Sequence, residues 1–93
     1  MPCVLIIHEV ADYAHWKAAF DAAADLRRAA GEVSYQLLRY DDDANKVVHF
    51  SEWTSLAAAR AFFQSAEVAE IRLRAGVREP EFHYLDRIEA GTL

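Results

Sequence analysis

The stretch Arg39–Trp53, RYDDDANKVVHFSEW, decides how this chain is read. Counted from Asp41, it puts Asp41, Asp43, Asn45 and Glu52 at positions one, three, five and twelve. Those are oxygen-ligand positions of a helix–loop–helix calcium site. Such a loop also needs glycine at its sixth position, for a sharp turn, and Lys46 stands there. It needs a helix on each side as well. The flanks VSYQLLRY (33–40) and KVVHFSEW (46–53) are instead β-branched and aromatic, with period-two alternation. Setting Tyr40 opposite Lys46 brings Leu38 against Val48 and Gln36 against Phe50, each pair on one face, as a hairpin requires. The stretch is expected to be two strands joined by an acidic DDDAN turn. Asp and Asn suit a turn because they bond nearby amides and tolerate left-handed backbone.

Outward from the hairpin, CVLIIHEV (3–10) reads as a first strand. Asp12 is placed to cap a helix that follows. Tyr13, Trp16, Ala19, Phe20, Ala23, Leu26 and Ala30 recur at helical spacing and form one apolar stripe, with Gly31 as its stop. After the hairpin, Thr54 and Ser55 offer a cap for LAAARAFFQS, and Ser65 caps AEVAEIRLRA, which Gly76 ends. Pro80 is expected to interrupt the pattern before a last strand, EFHYLDRIE (81–89). The order is β-α-β-β-α-α-β, an α+β, ferredoxin-like arrangement with a broken second helix and a four-stranded antiparallel sheet.

Helices can cover only one face of that sheet. Val47, His49, Ser51 and Trp53 point one way, and Val48, Phe50 and Glu52 the other. Leu5 and Ile7 likewise oppose Val4, Ile6 and His8. Both faces therefore carry large apolar groups, whereas a solvated antiparallel face should be polar. A second copy of the chain is the expected cover, giving a homodimer with its sheets packed together.

With 93 residues, the chain is sized for one domain spanning 1–93. It carries a formal charge of −5 with its cations scattered among acids, so no basic stripe offers a nucleic-acid or anionic-membrane surface. One cysteine, Cys3, cannot form an internal disulfide, and no apolar run approaches the roughly 20 residues that span a bilayer. A cytoplasmic protein with no membrane partner is expected.

Chemistry must come from a short inventory. The histidines His8, His15, His49 and His83 lie on separate segments, without the helical spacing of a zinc site. No metal and no cofactor are expected, and Cys3 has no adjacent cation to make it a nucleophile. His8, His49 and Trp53 share face parity on neighbouring strands. They could line one pocket in which a histidine moves a proton near neutral pH. Trp53 could stack on an aromatic ligand, and Tyr35 or Tyr84 could donate a hydrogen bond. The plainer reading is that these residues fill a core or an interface, and bulky Phe20, Phe62 and Phe63 could already occupy the space beside Trp53.

Several pieces together resemble a known family: DYAHWKAAFD (12–21), DDANKVVHFSEW (42–53), AARAFFQS (58–65), AGV (75–77) and a closing aromatic strand. From His8 to Glu89 the chain resembles antibiotic-biosynthesis-monooxygenase-like proteins of the dimeric α+β barrel superfamily. The resemblance implies a barrel formed by two sheets and a ligand cavity between sheet and helices. It also implies oxidation of an aromatic, polyketide-type molecule without metal or flavin, or a related cyclase or isomerase activity. Trp53 matches the family's strand-three tryptophan, while His49 stands where an asparagine is usual. Haem-degrading relatives add a histidine on the following helices; none lies between Trp53 and His83, so no haem is expected. On this reading His49 and His8 are the catalytic candidates, and Trp53, Tyr35 and Tyr84 bind substrate. The alternative is a dimeric small-molecule-binding or stress-related protein without catalysis.

Overall fold

The computed structural model describes residues 1–93. Eight elements follow in order: β1 (Pro2–Val10), α1 (Tyr13–Ala22), α2 (Ala24–Ala30), β2 (Glu32–Tyr40), β3 (Asp43–Trp53), α3 (Leu56–Phe63), α4 (Ala66–Arg74) and β4 (Val77–Asp86). The strands form one antiparallel sheet in the order β2-β3-β1-β4. The α+β, ferredoxin-like protomer expected from the sequence is what forms.

Side-chain oxygens set the helix starts. Asp12 accepts from the His15 amide, Ser55 from Ala58 and Ser65 from Val68, each filling an otherwise unpaired first-turn donor. Gly31 ends α2 with φ +121, where a side chain is strained, and its position would drive a Cβ to 2.6 Å from Thr54 Oγ1. The expected single helix over 13–30 is broken at Ala23 (φ −90, ψ 6). Close to that break Arg27 Nη2 donates to the Phe20 carbonyl at 3.1 Å. A guanidinium thus takes a main-chain acceptor where the helical ladder changes direction.

Three strand details depart from expectation. The hairpin turn is Asp41–Asp42 alone; Tyr40 pairs with Asp43, not Lys46, and residues 44–46 bulge before Arg39 meets Val47. Asp43 Oδ1 accepts from the Asn45 amide there, and no residue of the turn adopts positive φ. Beyond the bulge, Leu38 faces Val48 and Gln36 faces Phe50 as expected. Finally, β4 starts at Val77 and contains Pro80, ending at Asp86. Proline is tolerated because β4 is an edge strand, and Glu79–Pro80 form a bulge opposite His8, with Glu79 at φ +47.

All four helices lie over the face bearing Val4, Ile6, His8, Val10, Val47, His49, Ser51 and Trp53, all of them buried. The core there comes in two parts. Val4, Ile6, Trp53, Ala59, Phe63 and Val68 pack beneath α3 and α4; Val10, Trp16, Phe20, Val47 and Ala75 pack mainly beneath α1. The opposite face is covered within the chain only at one end, where Cys3 is buried and Arg87 donates to Glu52 at 2.6 Å beside the Phe50 ring. Leu5, Ile7, Val48 and Phe50 are only part-buried, and Leu38 and Leu85 are exposed.

Candidate functional site

Between the two parts of the core runs a cavity. It is narrow and open to solvent, with a volume of about 80 Å³. The sheet supplies its floor through Ile6, His8 and His49, while Trp16, Phe20, Phe63 and Val68 are among its apolar walls. Its polar lining consists of His8, His49, Arg27 and Arg72, and no carboxylate lines it. An apolar slot whose polar groups are all nitrogenous suits a planar ligand carrying negative charge.

Register places the two histidines. His8 lies opposite Val47 and His49 opposite Ile6, so the rings are diagonal neighbours on one face. Their surroundings differ sharply. His8 packs against Trp16 at 5.0 Å, and its Nε2 is buried without a partner. Burial pulls its pKa from 6.5 down to about 4, with the neighbouring His49 and Arg72 acting the same way. His8 is neutral at physiological pH.

His49 instead belongs to a buried chain of hydrogen bonds. Its Nε2 lies 3.0 Å from Glu32 Oε2, and Arg27 Nη1 donates to both Glu32 oxygens at 3.2 Å. The Arg27 guanidinium also lies 3.7 Å above the Phe20 ring centroid, while Phe20 meets His49 edge-on at 5.0 Å. His49, Glu32 and Arg27 are all buried. Arg27 Nε is a second buried donor with no partner.

The expected site residues are thus divided. His8 and His49 come together on the cavity. Trp53 does not line it: fully buried, it packs on Phe62 and Phe63 and donates from Nε1 to Ser51 Oγ at 2.8 Å. The expected crowding of Trp53 is therefore met by Phe62 and Phe63, whereas Phe20 packs on Trp16 and His49. Tyr35 is half exposed on β2, 5.2 Å from Phe20 and outside the cavity wall. Tyr84 sits under the Arg60 guanidinium, 4.1 Å away, also outside. No three His, Cys, Asp or Glu side chains converge as a metal site. Arg27 and Glu32 were not singled out from the sequence. A signal existed for Arg27: it follows Trp16, Phe20 and Ala23 on the apolar stripe, where a charge is out of place.

Comparison with known proteins now decides the family. The model for antibiotic biosynthesis monooxygenase matches residues 11–74, most of the chain. The chain belongs to the antibiotic biosynthesis monooxygenase family. Its fold is similar to that of SnoaB, a cofactor-independent oxygenase from Streptomyces nogalater, with a TM-score of 0.79 at 18% identity, covering 96% of this chain and 94% of that one. A variant of SnoaB superposes with a TM-score of 0.76 at 24% identity over the same shares. Rv0793 from Mycobacterium tuberculosis is similar at 0.68 and 21% identity, covering 99% of this chain and all of that one. At these identities the likeness establishes the fold alone. No curated protein matches the sequence significantly. No helix is long and apolar enough to cross a membrane.

Proposed function

We propose that this family member is a small oxygenase that binds an ionisable aromatic phenol in the seam between its two half-cores and acts without metal or flavin. The observation that carries the reading is the cavity lining: apolar walls, two histidines, two arginines and no acid. Family membership and the oxygenase activity named for SnoaB support it. In this mechanism His49 takes the phenol proton; the O–H bond breaks and an N–H bond forms on the imidazole. The resulting anion lies beside Arg72 and the His49 imidazolium, while Arg27 is paired with Glu32, in a site where little water screens the attraction. Dioxygen is the oxidant. The electron-rich anion reduces it at the ring carbon that is a methylene in the keto tautomer; that carbon becomes a carbonyl bearing one oxygen atom, and the other atom leaves as water with the carbon's hydrogen and the proton held on His49. Neutral His8, with no partner of its own, offers a hydrogen bond to a substrate oxygen.

The active assembly on this reading is a homodimer, supported by the uncovered apolar sheet face. Trp53 supports the cavity floor indirectly, and Tyr35 and Tyr84 stand outside it. Oxygen consumption with single-ring and fused-ring, anthrone-like phenols tests the proposal. Uptake that falls by about a hundredfold in His49→Ala is the expected result. Uptake unaffected by that change removes His49 from the mechanism. Saturable binding of the phenols with no uptake favours a non-catalytic binding protein instead.

A further inference from the structure

The Arg27–Glu32–His49 chain has a directional logic of its own. An ionised carboxylate can only accept hydrogen bonds. With Arg27 Nη1 donating to both Glu32 oxygens at 3.2 Å, the contact from His49 Nε2 to Oε2 at 3.0 Å requires the proton to sit on Nε2. The lone pair of a neutral His49 ring then lies on Nδ1, the nitrogen that Glu32 does not engage. Arg27 is itself fixed, by the Phe20 carbonyl at 3.1 Å and by the Phe20 ring face. The order of control therefore runs from the break between α1 and α2, through Arg27 and Glu32, to the histidine on the cavity floor.

We propose that Arg27 and Glu32 are positioning residues that hold His49 in the Nε2–H form, so that Nδ1 is the atom presented to the ligand as a base. The use of Nδ1 as a base rests on the proposed oxygenase reading; the tautomer does not. Glu32→Leu tests the fixing of the proton. Glutamine would not, because Arg27 Nη1 stands 3.2 Å from both carboxylate oxygens, so an amide carbonyl in the Oε2 position still accepts from Arg27 and His49 together. Leucine removes the acceptor, and a neutral His49 is free to exchange between its two forms.

The experiment is long-range proton–nitrogen correlation on the full chain carrying ¹⁵N-histidine, at a pH where His49 is neutral. Exposed His15 and His83 provide internal references. The wild-type protein is expected to show His49 as Nε2–H alone, and Glu32→Leu to show a mixture of the Nε2–H and Nδ1–H forms. Glu32→Asp, which keeps a carboxylate, should preserve the wild-type form. A wild-type Nδ1–H tautomer overturns the proposal without any variant having to fold. A single Nε2–H form in a folded Glu32→Leu protein overturns it equally. With turnover in hand, Glu32→Leu should lower kcat with little change in KM; a wild-type Nδ1–H form alongside full turnover overturns Nδ1 as the base. An Nε2–H form fixed in the wild type and released in Glu32→Leu, in a protein that never consumes oxygen, upholds the positioning and removes the oxygenase reading.

Discussion

Burial of His8 makes folding sensitive to acid. Between pH 6.5 and about 4 the unfolded chain binds a proton at this residue that the folded chain refuses. Stability therefore falls as pH drops through that window, and His8 contributes no pH dependence above it. At about 1.4 kcal/mol for each tenfold change in proton affinity, the limit is on the order of 3 kcal/mol. Urea unfolding of His8→Leu should show a flatter stability profile between pH 7 and pH 4.5 than the parent. At neutral pH the variant should be at least as stable, since it removes a buried nitrogen with no partner. A steep acid slope retained in the variant would assign the effect elsewhere. Alternation along two strands is enough to put His8 and His49 on one face. It could not say that Trp53, of the same parity, would be sealed under Phe62 and Phe63, because the lengthwise position of the gap depends on how the helices pack. Glu32, next to a stop glycine, gave no sign of burial; its partners arrive from a helix turn and a neighbouring strand.

Among the elements, the α2–β2 junction is the tightest constraint. Gly31 combines φ +121 with contact to Thr54, whose amide donates to the Gly31 carbonyl at 2.9 Å. Gly31→Ala must either strain the backbone or push Thr54 aside, and either response shifts Glu32, the next residue. A loss of about 1–3 kcal/mol is expected in urea unfolding, accompanied by a changed His49 signal; a variant as stable as the parent would contradict the strain argument. The helix caps and two hairpin pairs, Leu38 with Val48 and Gln36 with Phe50, are legible because each depends on a few neighbouring residues: Asp12, Ser55 and Ser65 all cap as expected. The Tyr40–Lys46 pair fails at the bulge. The break at Ala23 is not legible, since an unbroken apolar stripe continues through it. Nor is the inclusion of Pro80 in β4, which is acceptable only because that strand has a free edge.

For the whole molecule, the uncovered face of the sheet makes an association test decisive. Val48 sits at its centre, paired with Ile7 on one side and Leu38 on the other. Sedimentation should find the parent protein as a dimer over a wide concentration range. Val48→Asp should yield a folded monomer, because an unpaired charge in an apolar interface costs more than the contact returns. A parent that remains monomeric would refute face-to-face pairing. The cavity adds a kinetic consequence. The chain carries a net −5, while the seam within it presents only nitrogen groups among its polar lining. An anionic ligand is therefore repelled at long range and attracted only on arrival. Salt screens the first effect over about 10 Å at 0.1 M and reaches the enclosed second effect far less. Stopped-flow loading of a phenolate should accordingly quicken as ionic strength rises, whereas a rate that slows would mean the mouth of the cavity already draws anions in: the acidic exterior acts as a toll at the gate rather than a defect of the site.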